Sequence, residues 1–148
     1  ECENNLYSSF AIGNFVKAYS KEEAEKTLIE NKIVILVGGL GNPLFTTDST
    51  ASVRAVELNS DIMLKATTVD GIYSDDPKIN KKAIKYDFLT FDEAITKNLK
   101  VMDQTSLCFC RDNNLDVRVF NADSQGAILE AITNENTKIG TLVRLKND

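Results

Sequence analysis

Histidine is absent from this chain. Its absence excludes every His-based triad and the commonest general base. Chemistry must then rest on Asp, Glu, Lys, Thr, backbone N–H groups or a bound metal. Cysteine is scarce, with only Cys2, Cys108 and Cys110. An odd count without framework spacing excludes a disulfide scaffold and reads as reduced thiols in a cytoplasmic protein. Cys108 and Cys110 stand two apart, so on a helix they point away from each other. Two such thiols and no histidine fall short of usual zinc ligation. No apolar run approaches the roughly 20 residues of a membrane helix, and the first residues show no signal-peptide pattern. Positive charge is in deficit, at 17 Lys and Arg against 22 Asp and Glu, a net charge of −5. A nucleic-acid surface would need a basic stripe. Neither nucleic acid nor membrane is therefore an expected partner. Internal repeats and low-complexity segments are also missing.

What is present suits one domain spanning residues 1–148. That length supports a real core, and 43% apolar with 26% charged residues is ordinary for a globular protein. The chain is organised around Gly38-Gly39-Leu40-Gly41-Asn42-Pro43-Leu44-Phe45-Thr46-Thr47-Asp48. The aliphatic run Ile33–Val37 precedes it, and a helix pattern from about Asp48 to Leu58 follows. Strand, glycine loop, helix is the order that gathers backbone N–H groups and a helix N-terminus around an anion.

The remaining pattern alternates helices and strands. Glu1–Lys17 is ambiguous: Tyr7–Ile12 reads as a helix end or a short strand entering a Gly13-Asn14 turn. Ser20-Lys21-Glu22-Glu23 is a capping box opening a helix to about Asn31, with Ala24, Thr27 and Leu28 on one face. Ile33–Val37 and Asp61–Thr67 read as buried strands covered on both faces. Thr68–Pro77 is a loop with turns at Asp70-Gly71 and Asp76-Pro77, and the lysine-rich loop continues to Lys85. Thr90-Phe91-Asp92-Glu93 is a second capping box, with a helix to Asn98. A further helix spans Gln104–Asp112, a strand Asp116–Asn121, and a last helix Ala127–Ile132 opens near Asp123 or Ser124. Gly140–Val143 is a final strand before a charged tail. The expected class is α/β, a mainly parallel sheet sandwiched by helices in a Rossmann-like three-layer arrangement. In such sheets ligands sit beyond the carboxyl ends of the strands. Leu40–Asp48, Thr67–Asp76 and Asn121 are expected along one such edge.

The first loop is not a P-loop, because no Gly-Lys-Ser/Thr follows the glycines, and it lacks dinucleotide Gly-x-Gly-x-x-Gly spacing. A tight strand-to-helix turn is the plainer alternative to a phosphate cradle. Thr46, Thr47 and Asp48 put two hydroxyls and a carboxylate at the helix mouth, and Asn42-Pro43 restricts the loop. Asp48 reads either as a helix N-cap or as a carboxylate beside phosphates. In the second loop Tyr73 offers an aromatic face, for base stacking or loop packing, and Asp75 and Asp76 offer metal-grade oxygens. Asp103 reads as an N-cap or as a second acid facing phosphates. Phosphoryl transfer needs mainly positioning and positive charge on the phosphates; acids and hydroxyls are in place, but no phosphate-clamping lysine is evident.

Several of these stretches together resemble bacterial uridylate (UMP) kinases of the amino acid kinase superfamily. They are Gly41–Asp48, Leu64–Tyr73, Asp76-Pro77, Leu99-Lys100-Val101-Met102-Asp103, and Arg111–Asn114 through Arg118–Asn121. Order and spacing hold from about Ser20 to Val143. The resemblance implies an amino acid kinase-like fold and transfer of the ATP γ-phosphoryl to UMP, giving UDP and ADP, with Mg2+, in pyrimidine nucleotide (CTP) biosynthesis. It implies that Leu40, Gly41, Asn42, Pro43, Leu44, Phe45, Thr46 and Thr47 line UMP. It implies that Thr67, Tyr73 and Asp76 contact ATP. It implies catalytic roles for Asp48 and Asp103, which organise lysines and magnesium, with Asp103 as the metal-side acid. A homohexamer activated by GTP and inhibited by UTP is implied as well. Leu40 departs from the family's usual threonine. The resemblance covers the C-terminal three-fifths of such a protein. It implies that a Lys-x-Ser/Gly-Gly segment, a second glycine loop with its arginine and the UMP-ribose acid lie outside this chain, so that the isolated fragment is inactive. A nucleotide-binding module without catalysis is one alternative reading. Another branch of the superfamily, acting on a carboxylate or carbamate, is a second, disfavoured by the Asn42–Asp48 run.

Overall fold

The computed structural model describes residues 2–100 and 102–146. Glu1, Val101 of the Leu99–Asp103 stretch, and the last two residues of the charged tail lie outside the described residues. The chain divides into two compact units, Glu1–Asn59 and Ser60–Asp148.

In the first unit β1 (Asn4–Ser8), β2 (Lys17–Ala18) and β3 (Ile33–Val37) form a parallel sheet in the order β2-β1-β3. The ambiguous N-terminal segment thus contributes a central strand, and Ile12 and Val16 bridge around the Gly13-Asn14 turn. α1 (Lys21–Ile29) is capped by Ser20, whose Oγ accepts the Glu23 N–H. The expected capping box forms differently, because the Ser20 hydroxyl donates to Glu22 at 2.6 Å. Asn5 Nδ2 donates to Thr27 Oγ1 at 2.9 Å, and the Tyr7 and Thr27 hydroxyls lie 3.0 Å apart. These contacts seat α1 on one sheet face, with Ala24 and Thr27 buried and Leu28 left exposed. α2 (Thr47–Glu57) is held by Arg54, which stacks over the Tyr19 ring and pairs with Glu57 at 2.7 Å.

β3 is not covered on both faces. Its residues alternate between exposed and half-buried, with Ile33 50%, Ile35 40% and Val37 40% exposed. The register aligns Leu6 with Ile35, so one apolar sheet face is open to solvent. A continuous apolar run carries no record of which face a neighbour covers, which is why the sequence misled here.

The second unit holds a four-stranded sheet in the order β4-β8-β9-β7, from β4 (Ile62–Thr67), β7 (Phe88–Thr90), β8 (Asp116–Asn121) and β9 (Thr141–Arg144). A hairpin of β5 (Ile72–Tyr73) and β6 (Lys85–Tyr86) stands beside it in sequence. β4/β8 and β7/β9 are parallel, while β8/β9 and the hairpin are antiparallel. Central β8 buries Val117, Arg118, Val119 and Phe120. Edge strand β4 buries only Met63, another departure from the fully covered strand expected. α3 (Phe91–Thr96) opens on the full Thr90/Glu93 capping box, and Arg111 of α4 (Gln104–Asp112) reaches Asp92 at 3.2 Å. α5 (Ala127–Thr133) opens at Gly126 in the left-handed region, not at Asp123 or Ser124. Cys110 is buried, Cys108 half-buried, and both are free thiols. β5, β6 and β7 were not expected from the sequence; each is two or three residues long, too short for a period to register.

Candidate functional site

In the first unit the glycine loop leaves β3 through Gly38, Gly39 and Gly41, with φ of 76°, 65° and 76°. Glycine alone takes such values without strain. A Cβ on Gly38 would stand 2.7 Å from Ser8 Oγ, so the space also demands glycine. The Ser9 hydroxyl reaches the carbonyls of Gly38, at 3.3 Å, and of Gly39. Gly41 through Thr47 are exposed, Leu40 is half-buried, and Leu44 adopts φ 72° with its side chain wholly in solvent.

The loop ends at the N-terminus of α2. Thr46 is the N-cap, and its Oγ1 accepts the Ser49 N–H at 3.2 Å. Asp48 therefore does not cap; it stands in the first turn, where its charge complements the helix dipole. Hydroxyl, backbone N–H groups and carboxylate share one helix mouth.

In the second unit a pocket of about 410 Å³ opens between the β4–β6 segment and the C-terminal end of α3. Its walls include Val69, Gly71, Tyr73, Asp76 and Pro77 from the first segment and Lys97, Asn98, Leu99 and Lys100 from the second. Tyr73 and Asp76, singled out from the sequence, both line it. Thr67 does not line it. Instead Thr67 ends β4 in register with Asn121 of β8, and its carbonyl accepts the Ala122 N–H at 2.8 Å. The two strand ends Thr67 and Asn121 do lie side by side, as expected of parallel neighbours.

The pocket wall is braced from below. The Ile72 N–H donates to Thr141 Oγ1 at 2.8 Å, and Thr141 is fully buried. A Cβ on Gly71 would come within 2.6 Å of that same oxygen. The Tyr73 hydroxyl donates to Asp70 Oδ1 at 2.8 Å. That hydrogen bond raises the phenol above its ordinary pKa, with burial second, so the hydroxyl stays protonated at neutral pH. Asp75 spends both oxygens inside the loop: Oδ2 accepts from Asn80 Nδ2 at 2.9 Å and Oδ1 from the Asp76 N–H at 2.8 Å. These bonds, the Asn80 one first, lower its pKa. Asp76 Oδ1 accepts the Lys78 N–H at 2.9 Å. The two acids thus shape the turn more directly than they present a metal site. Lys97 and Lys100 are lining residues that sequence reading missed, with the Lys97 ammonium 3.9 Å from Glu93 and over the Tyr86 ring; Lys100 sits inside the Leu99–Asp103 stretch, the one available signal.

Asp103 is the N-cap of α4, with Oδ1 accepting the Ser106 N–H at 2.8 Å. No cluster of three His, Cys, Asp or Glu side chains able to hold a metal ion occurs among the described residues. No helix among the described residues is long and apolar enough to cross a membrane.

A profile of the amino acid kinase family matches residues 7–121. The uridylate kinase of Alcanivorax borkumensis is 45% identical over 138 residues, covering 93% of this chain and 54% of that protein. The uridylate kinase of Coxiella burnetii is 45% identical over 138 residues, covering 93% of this chain and 56% of that protein. The crystal structure of UMP kinase from Bacillus anthracis superposes with a TM-score of 0.94 at 36% identity, over 99% of this chain and 59% of that one. UMP kinase from Ureaplasma parvum gives 0.89 at 39% identity, over 97% and 60%. The chain spans little more than half the length of these relatives. With the α/β sheets, the glycine loop and the matched residues taken together, this chain belongs to the amino acid kinase family.

Proposed function

We propose that this chain is the nucleotide-binding, C-terminal portion of a UMP kinase, which transfers the γ-phosphoryl of ATP to UMP and yields UDP and ADP. The observation that carries the reading is the likeness to UMP kinases across 97–99% of the chain. The glycine loop and the mouth of α2, from Leu40 to Thr47, take the acceptor side. Outward N–H groups and the Thr46 and Thr47 hydroxyls suit a nucleoside monophosphate. The Tyr73–Asp76 wall takes ATP, with Tyr73 as the flat surface for the base and Lys97 and Lys100 as nearby cations. Thr67, at the end of β4, contacts ATP from the strand terminus.

Asp48 and Asp103 are the catalytic acids of this reading. Mg2+ characteristically binds through one or two carboxylates plus the phosphates it accompanies. A single acid such as Asp103, anchored at a helix start, fits that mode, and the ion would supply charge neutralisation on the transferring group. The whole protein, on the same reading, is a cytoplasmic homohexamer serving pyrimidine nucleotide synthesis, activated by GTP and inhibited by UTP.

The test is phosphoryl transfer from ATP to UMP, CMP and other monophosphates by the product of the complete gene, beside the 148-residue chain. The complete product is expected to prefer UMP, and the 148-residue chain to bind ATP weakly without turnover. Turnover by the short chain would refute its inactivity, and indifference to UMP in the complete product would refute the kinase reading.

A further inference from the structure

We infer that Ser9 is the positioning residue of the glycine loop. Its hydroxyl draws the Gly38 and Gly39 carbonyls inward and so turns the following N–H groups outward as donors for the acceptor nucleotide. The identity of that ligand rests on the acceptor reading given above; the anchor itself does not.

The geometry is a consequence of peptide planarity. In a trans peptide the C=O of one residue and the N–H of the next point in opposite directions. No peptide among the described residues is cis, so those of this loop are trans. The Gly38 carbonyl faces Ser9 Oγ, so the Gly39 N–H faces away from it. The Gly39 carbonyl faces the same oxygen, so the Leu40 N–H also faces away. Neither amide has a partner among the described residues. Gly38 and Gly39 both take positive φ, which turns the chain sharply at little cost because neither carries a Cβ. Ser9 selects which side of that turn is presented.

A serine is needed because glycine peptides flip easily. With no Cβ, Gly38 and Gly39 populate either sign of φ about equally, so the loop's own sequence does not choose. Ser9 comes from the end of β1, 29 and 30 residues earlier in the chain. The rest of that segment fits the loop as well. A Cβ on Gly41 would meet Ser9 Cβ at 3.2 Å and the Phe10 ring at 3.6 Å. The Gly38–Gly41 part of the loop therefore lies beside Ser8–Phe10, and one hydroxyl proton, shared between two carbonyls, sets its polarity.

The experiment uses the isotope-labelled 148-residue chain, followed by NMR at the Gly39 and Leu40 amides and titrated with UMP. In the unmodified chain both amides are expected to be ordered and to shift on UMP addition. Ser9→Ala is expected to lower their order parameters toward the flexible range, below about 0.6, and to weaken UMP binding about fivefold to tenfold, the effect of one lost hydrogen bond. Ser9→Thr restores the hydroxyl and is expected to recover both. Ser9→Cys, with a weak thiol donor of similar size, is expected to behave like Ser9→Ala and serves if the alanine variant does not fold. Unchanged loop order in Ser9→Ala or Ser9→Cys overturns the anchor. The UMP arm is repeated on the product of the complete gene, which on the kinase reading carries the remaining acceptor groups; if UMP moves neither amide there while removal of the hydroxyl still loosens the loop, the anchor stands and the acceptor reading falls.

Discussion

Asp103 Oδ1 accepts the backbone N–H of Ser106 at 2.8 Å, tying the start of α4 to an acid that the kinase reading also needs for phosphoryl transfer. The two jobs separate by substitution. Asparagine caps a helix about as well as aspartate, whereas alanine forfeits roughly 1 kcal/mol. Asp103→Asn is expected to keep folding stability in urea within a few tenths of a kcal/mol and to lower kcat of the complete enzyme far more than ATP affinity. Asp103→Ala is expected to lose about 1 kcal/mol of stability as well. Unchanged kcat in Asp103→Asn would reduce the residue to a cap.

Tyr73 offers the pocket a ring and offers Asp70 a proton. If the ring is what ATP uses, Tyr73→Phe retains affinity within about twofold, and Tyr73→Ala weakens it about tenfold, near the upper end for an aromatic contact. Binding of a non-hydrolysable ATP analogue measures both. In the unmodified chain the Tyr73 phenolate signal is expected to appear only above the ordinary tyrosine range, near pH 10, because Asp70 favours the protonated hydroxyl. Asp70→Asn should bring it back down.

Asp75 gives the loop an acid limit. Its folded-state pKa is depressed by the Asn80 side chain and then the Asp76 N–H. A depressed carboxylate contributes order that is fully present above its ordinary pKa of about 3.9 and is lost as pH falls through the lower folded value. The Asn80 side-chain amide resonance is expected to hold steady from neutral pH down to about 4 and to move only below it. An inflection at or above the ordinary value would show that the Asp75 clamp is not formed in solution. Asp75→Asn should abolish the transition.

Glycine replacements are expected to rank by space. A Cβ at Gly140 would lie 2.0 Å from the Val119 carbonyl oxygen and 2.8 Å from Phe120 Cβ, in a backbone with φ 73°. Gly126, at φ 78°, has nothing within 4 Å of its Cβ position. Gly126→Ala should cost only left-handed strain, about 1–2 kcal/mol. Gly140→Ala should cost several kcal/mol more, because β8 or β9 must move. Thermal denaturation of both variants decides the order; equal losses would mean that the chain relaxes freely at Gly140.

The elements long enough to carry a period were legible in the sequence. The Thr90/Glu93 capping box fixed the start of α3, and the Ile33–Val37 and Asp116–Asn121 runs marked β3 and β8. Leu40–Thr47 and the Tyr73–Asp76 turn were recognisable by residue type; the first follows positive-φ glycines and the second is closed by its own acids. What stayed illegible depends on partners distant in sequence. Tyr7 looked as much like a helix end as a strand end, because its strand exists only by pairing with β2 and β3. Asp48 reads from sequence as a cap or as a carboxylate beside phosphates, and the cap alternative arose because the true cap, Thr46, stands two residues earlier in a run of equally suitable hydroxyls. Lys97 meets the pocket as the C-cap of α3, and Asn98 after it, with φ of 49°, turns the chain back. No local pattern registers that Leu28 is exposed while Thr27, next to it, is buried under Tyr7.

The open sheet face bearing Leu6, Ile33, Ile35 and Val37 also decides how the chain behaves in bulk. Each of the four is 40–50% exposed, and they lie on neighbouring strands, an adhesive stripe that favours contact between molecules. Opposing that contact is the mutual repulsion of molecules with a net charge of −5. Salt at about 0.15 M shortens the reach of the repulsion to roughly 8 Å while leaving the stripe untouched. The colloidal consequence is a chain whose second virial coefficient falls as salt is added and whose solubility is poorest near its isoelectric point of about 4.8.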